Sequence, residues 1–294
     1  MGYLFLVIAL IGGTAKAYCG KKTSTLINSV SEVMALNMLR MLLCIIIGGA
    51  LAIFADGGID AFKVDAQTLL ISAMSGVFSA FFVITWIFAV RSGAYTMIEV
   101  SLTLGTIIPL VVCSVLFDEQ VKFLQWIGFV VLVIAVFIMS SYNKSVVGKT
   151  TVFGNFVLVA AGICNGMADL SQKLFVRLKP DGINSVFNFY SYIVSFLVIL
   201  IMFLTQKEKQ KSLEKTKGIA IYVIIMAVGL FVNSFFKVKA AGLIDAAKLY
   251  PLNQGAALLI SAVMASVAFK EKITVKSAVG LVLAFIALCI INLV

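Results

Sequence analysis

Apolar runs of about twenty residues, each closed by a short charged or glycine-containing gap, repeat from one end of the chain to the other. The pattern predicts helices over about residues 2–20, 30–54, 67–90 and 94–117, with a fifth ending near 141. A second series follows over about 153–174, 183–205 and 218–239, and the stretch from Tyr250 to the C-terminus supplies two more. Each is near the roughly 20 residues that an α-helix needs to cross a bilayer. None alternates with period two, so helices and not barrel strands satisfy the backbone in lipid. The gaps hold helix breakers: Asp56-Gly57-Gly58, Arg91-Ser92-Gly93, Asp118-Glu119-Gln120 and Lys179-Pro180-Asp181-Gly182. One gap is longer and strongly polar, the loop Gln206–Lys217 (QKEKQKSLEKTK).

Composition turns this pattern into a class. The chain is 62% hydrophobic and 12% charged, with a mean hydropathy of +1.12. Soluble domains average about 45–50% apolar and about 25% charged residues. So little polar surface cannot coat a particle in water, and the chain reads as an all-α integral membrane protein with about ten transmembrane helices. The net charge of +10 lies in the short gaps, where it suits anionic headgroups, and no soluble basic module exists for nucleic acid. Cys19, Cys44, Cys113, Cys164 and Cys289 show no C-x-x-C pair and read as small packing residues. Histidine is absent, which removes histidine triads, histidine metal sites and histidine proton relays. The first apolar run lacks a basic leader and carries Lys16 where a cleavage site would need small residues, so it is expected to be a retained span.

The two halves echo each other. A shift of 152 residues lays Phe117-Asp118-Glu119-Gln120 on Phe269-Lys270-Glu271-Lys272, carries Gly128 to Gly280, and superposes FVVLVIAVFIM on LVLAFIALCII. Five spans per half is an odd number, so repeats over 1–143 and 144–294 would lie inverted in the membrane, as in many transporters.

The ending F-K-E-K-I-T, followed by G-L-V-L-A-F-I-A-L-C-I-I-N, resembles the drug/metabolite transporter superfamily, in particular its ten-span EamA-like members. Tyr250-Pro251-Leu252-Asn253-Gln254-Gly255 and Ile290-Ile291-Asn292-Leu293 are also similar to the last span pair of small multidrug resistance proteins. The first-half counterpart, Leu116-Phe117-Asp118-Glu119-Gln120-Val121, lacks the basic residue after its glutamate. The resemblance implies a secondary transporter of a small polar or amphipathic metabolite, amino acid-like or otherwise, in the cell membrane. It would work by alternating access, rocking its halves around a cavity lined by spans one, three, four, six, eight and nine. A multidrug or organic-cation exporter is the alternative. A membrane enzyme acting on lipid-linked substrates would need a convergent catalytic cluster, which the scattered acidic residues do not form. No cofactor or metal is implied, and no phosphate-binding loop suggests ATP drive. The expected partners are the solute, the lipid bilayer and a coupling ion, proton or sodium.

Ionisable groups inside apolar runs cost a few kcal/mol each, roughly, near the midplane and call for a reason. Glu99, close to Ser101 and Thr103, would hold a cation or proton in the cavity, or else pair near the interface with Arg91. Asn165, Asp169 and Gln172 share one helical face (i, i+4, i+7), although Asp169 could simply pair with Lys173 at i+4. Asp245, Lys248, Tyr250, Asn253 and Gln254 crowd the start of span nine around Pro251. Such a proline either breaks the helix to form a transport site or sits harmlessly near its start. Tyr250, Asn253 and Gln254 are taken as cavity-lining; Trp86, Asn188, Tyr190 and Asn233 are weaker candidates, with packing the simpler role for Trp86. Lys16 reads as snorkelling, and Lys237 and Lys239 as interfacial. Arg40 lies deep in span two with Glu32 too far away (i, i+8) for contact, which leaves its partner open. Glu119 and Glu271 suit helix-end bracing. Gly280 and Ala284 form a small-xxx-small pair for close packing or a homodimer seam. Orientation stays open: the resemblance implies cytoplasmic termini, whereas the lysines of residues 207–217 favour the opposite by the positive-inside rule.

Overall fold

The computed structural model describes residues 1–91, 101–141, 152–269 and 275–293, and every regular element among them is helical. In chain order these are α1 (Gly2–Ser24), α2 (Val30–Ala55), a 3-10 turn (Gly58–Phe62) and α3 (Ala66–Arg91). Then come α4 (Ser101–Phe117), α5 (Phe123–Ser141) and α6 (Val152–Leu178). The last are α7 (Asn184–Leu204), α8 (Lys209–Gly218), α9 (Ala220–Ala241), α10 (Ala246–Phe269) and α11 (Val275–Asn292). Within the described residues six helices are long and apolar enough to cross a membrane: α1, α2, α3 to Phe88, α7, α9 and α10. Shorter apolar helices cover Ser101–Phe117, Phe123–Ile138 and Ala278–Asn292. The chain is an all-α membrane protein. Large apolar side chains such as Phe54, Leu70, Ile201 and Phe285 stand exposed, as residues facing acyl chains do.

The helix ends follow the sequence signals. Ser29 caps α2 by accepting the Glu32 N–H at 3.2 Å, while the Glu32 carboxylate reaches back to the Asn28 N–H at 2.8 Å, a variant of the capping box. Gly57 and Gly58 turn the chain after α2 with φ of 115° and 75°, values that favour glycine. Asp65 precedes α3 and accepts from the Thr68 hydroxyl at 2.6 Å; its other oxygen accepts from the Lys179 ammonium. The Asp118 backbone is left-handed (φ 51°) where α4 stops.

One expectation changes and one open alternative is decided. The polar stretch 206–217 is largely the helix α8 and not a loop. Its Ser212 and Thr216, one turn apart, are buried; the Ser212 hydroxyl donates to Ser31 at 2.8 Å and Lys215 pairs with Glu32 at 2.7 Å. Lys, Glu and Gln are good helix formers, so two small residues on one face sufficed to dock the segment on α2. Pro251 does not break its helix either: α10 runs unbroken through it. As the sixth residue of α10, Pro251 removes a single backbone bond, near an end where several donors lack helical partners anyway.

The chain forms two compact units, and each draws on both halves of the sequence. One comprises Met1–Ile87 and Ser171–Leu243, the other Phe88–Leu170 and Ile244–Val294. In the first, α1 crosses α9 at Gly12 and Gly229; a Cβ on Gly12 would lie 2.8 Å from the Gly229 carbonyl oxygen. Ser195 of α7 donates to the Gly76 carbonyl of α3 at 2.7 Å. In the second, Gly105 of α4 lies against Gly162 and Gly166 of α6, backbone on backbone. There α5, α10 and α11 share a core of Leu132, Ala135, Val136, Leu258, Ala284 and Ala287, so Ala284 serves packing within the chain. Lipid offers no hydrophobic drive between helices, so this close approach is what holds them.

Gly166→Val should therefore destabilise the protein by about 1–3 kcal/mol, read as a lower midpoint of thermal unfolding in detergent. Gly218→Ala, where an added Cβ meets nothing within 4 Å, should stay within about 0.5 kcal/mol of the wild type. At the loop, the Lys179 ammonium and then the Thr68 hydroxyl hold the Asp65 carboxyl down to about 2 from an ordinary 3.8. A carboxylate with a depressed pKa adds stability above its unfolded value and loses it as pH falls through the folded one. The wild type should thus lose stability between about pH 4 and pH 2, and Asp65→Asn should flatten that part of the profile.

Candidate functional site

Polar side chains gather inside each unit. In the first, α7 carries a stripe of Ser185, Asn188, Ser191, Tyr192 and Ser195, all buried. The Ser234 hydroxyl of α9 donates to the Asn188 side-chain oxygen at 2.6 Å and accepts from the Gln172 amide of α6 at 3.4 Å. Tyr192 donates to the Leu230 carbonyl of α9 at 3.4 Å. From α2, Arg40 lies within electrostatic reach of Tyr192 and Cys44, and its Nη1 donates to the Asn37 side-chain oxygen at 2.7 Å. Two polar atoms of this group, Arg40 Nε and Gln172 Oε1, are buried without a hydrogen-bond partner. Native proteins leave few such groups unpaired, and those that remain ask for an explanation.

In the second unit the buried polar residues include Thr103, Thr106, Glu119, Gln125, Asp169, Tyr250 and Gln254. The Tyr250 hydroxyl donates to the Asp169 backbone carbonyl at 2.8 Å, tying α10 to α6. The Glu119 carboxylate accepts the Ala246 N–H at 2.7 Å, so it caps the first turn of α10, where the helix dipole favours negative charge. The Asn253 side-chain oxygen is buried and unpaired.

The expected site residues divide between these settings. Asp169 and Tyr250 come together, through a backbone carbonyl. Ser101 lies beside Gly162 on α6, one turn before half-buried Asn165. Asn253 and Gln254 are neighbours on α10, with Gln254 the more deeply buried. Glu99 and Glu271 lie outside the described residues. Trp86 belongs to the first unit, where its ring packs against Gly20 of α1: a Cβ there would meet it at 2.9 Å. Asn233 donates to the Ala9 carbonyl at 2.8 Å and braces the α1–α9 crossing. Tyr190 fastens the 3-10 turn to α7 by donating to the Phe62 carbonyl at 2.8 Å. Lys173 donates to the Ala241 carbonyl at 2.9 Å, at the C-terminal end of α9. Arg40 and Glu32 do not pair, since Glu32 is engaged by Lys215.

Sequence reading named Asn188 as a weaker candidate but missed the rest of the α7 stripe, although its spacing (185, 188, 192, 195) marks one helical face and could have been counted. It also missed Ser234, which joins α6, α7 and α9 and is a lone serine among phenylalanines in sequence.

The model of the EamA-like transporter family matches residues 152–293. No curated protein sequence matches the chain. Among solved structures, one crystal structure superposes with a TM-score of 0.69 at 15% identity, over 98% of this chain and 96% of its own; the likeness extends to the fold.

Tyr250→Phe leaves the Asp169 carbonyl without its donor in a buried position. A loss of about 1–2 kcal/mol is expected, measured as a lower unfolding midpoint with the helix content unchanged by circular dichroism.

Proposed function

With residues 152–293 the chain belongs to the EamA-like transporter family, part of the drug/metabolite transporter superfamily, and on that premise we propose a secondary-active transporter of a small polar or amphipathic solute. The observation that carries this reading is the set of buried hydrogen-bonding side chains inside otherwise apolar helices of both units. Lipid penalises each of them, and a solute passage gives them a use. Two inverted five-helix repeats, 1–143 and 144–294, working by alternating access in the cell membrane complete the proposal. Ser101, Asn165, Asp169, Tyr250, Asn253 and Gln254 are the side chains we assign to the passage. The Asn253 oxygen, buried and unpaired, is free to accept from a solute hydroxyl or amine. Glu99 and Asp169 are the carboxylates we assign to a coupling proton or sodium ion. No chemical reaction is assigned.

The test is counterflow in proteoliposomes against amino acids, nucleosides, sugar phosphates and organic cations. One solute class should exchange, and Asn253→Ala should raise its half-saturating concentration about tenfold, the size of one lost buried hydrogen bond at about 1.4 kcal/mol. Glu99→Gln or Asp169→Asn should alter the pH or sodium dependence. If both leave transport and that dependence untouched, the coupling assignment is wrong; if no solute class exchanges, so is the transporter reading.

A further inference from the structure

Charge within the first unit is unbalanced at one point. Arg40 is the eleventh residue of α2, which puts it about 15 Å along the helix axis and near the middle of a hydrocarbon layer about 30 Å thick. It is 2% exposed. A guanidinium keeps its charge in proteins and presents five N–H donors in a flat fork. Only the neutral Asn37 amide answers it, at Nη1, and Nε has no partner. The nearest carboxylate on its own helix, Glu32, is held by Lys215 at 2.7 Å. Among the described residues no carboxylate pairs with Arg40, and its electrostatic neighbours Cys44 and Tyr192 carry no charge at neutral pH. A purely structural side chain at this depth would do better as methionine or leucine, because an uncompensated buried charge destabilises the fold that holds it.

We propose that Arg40 is an anion-binding residue, and that the solute carries a carboxylate or phosphate which docks on its guanidinium. This rests on the transporter reading above and narrows it to a solute class. The unpaired Nε lies on the edge of the fork that meets an oxyanion in two parallel hydrogen bonds. Tyr192, which donates to the Leu230 carbonyl, lies within electrostatic reach of the guanidinium. Arg40 is closed to solvent in this conformation, so the anion binds once these helices open to one side of the membrane. A cationic solute is disfavoured at this position by direct repulsion.

The experiment is thermal unfolding of the purified full-length protein in detergent with matched ligands: mono- and dicarboxylates and sugar phosphates beside their methyl esters, amides and unphosphorylated sugars. Wild type, Arg40→Lys and Arg40→Met are compared. An acid or phosphate should raise the unfolding midpoint while its neutral partner does not. Arg40→Met should weaken that ligand at least tenfold, and Arg40→Lys, which keeps the charge and loses the fork, by less. Without ligand, Arg40→Met should melt at or above the wild type. Equal protection by acid and ester, unchanged affinity in Arg40→Met, or a ligand-free Arg40→Met that melts well below wild type would each overturn the assignment and leave the transporter reading standing. Should Arg40→Met not be recovered in amounts that can be melted, the acid–ester contrast in wild type and Arg40→Lys decides. Counterflow of cations or neutral solutes alone refutes the anion site; no counterflow of any solute refutes the transporter reading and the inference together.

Discussion

A polar group in the hydrocarbon layer has no water to fall back on, and most of this structure can be traced to that constraint. It makes the chain helical, because only a helix satisfies its backbone within one segment. It also decides how the helices meet. Apolar side chains gain nothing by leaving lipid for protein, so the crossings depend on glycines that bring backbones together: Gly12 with Gly229, and Gly105 with Gly162 and Gly166. The same scarcity of partners sends side chains to carbonyls in neighbouring helices. Asn233 donates to Ala9, Ser195 to Gly76, Tyr250 to Asp169 and Lys173 to Ala241. Each bond fixes a helix pair and removes a polar atom from the apolar interior in one stroke.

Function is visible where that accounting fails. Most buried polar atoms in the described residues find a partner within the protein, which makes Arg40 Nε, Ser72 Oγ, Gln172 Oε1 and Asn253 Oδ1 stand out. Gln172 illustrates the point. Its amide nitrogen belongs to the Ser234–Asn188 cluster, while its oxygen, on the same side chain, is left over. A cluster built only for stability would have placed an apolar residue or a second donor there. Half-satisfied networks are costly, and the transporter function proposed above gives a reason to keep one, since a solute would supply the missing donor or acceptor in passing.

The fold was largely legible in the sequence because bilayer thickness imposes one length on every span. Runs of about twenty apolar residues mark helices without ambiguity, and the breakers Gly57, Gly58 and Asp118 stop them where the chain turns. What misled was polarity without context. Residues 206–217 look like a loop because eleven of twelve side chains are charged or amide-bearing or hydroxylic, yet Ser212 and Thr216 were enough to seat a helix on α2. Pro251 looks like a break, but its position near the helix start makes it harmless. The site was less legible than the fold, since partners lie far apart in sequence: Ser31 meets Ser212, Asn188 meets Ser234, and Glu119 meets Ala246. A single sequence shows that Asp169 and Arg40 are expensive; it does not show which of them is compensated.

Buried ionisable residues in the described chain segregate by sign. The first unit holds Arg40, Lys173 and Lys237, with Glu32 already neutralised by Lys215; the second holds Asp169 and Glu119. Glu119 has a capping role that uses its charge at the start of α10, and Lys173 reaches the end of α9, where the dipole favours a cation. Of these buried charges, Arg40 is the one that meets only a neutral amide and keeps an unpaired donor. An oxyanion seated on Arg40 would cancel its charge, but it would leave net negative transport unless a cation moved with it. In the function proposed above, Asp169 is the buried carboxylate assigned to that cation, a proton or sodium. The two proposals therefore support each other through charge balance: an anionic solute gives the coupling carboxylate a purpose, and a coupling carboxylate makes carriage of an anion across the membrane electrically affordable.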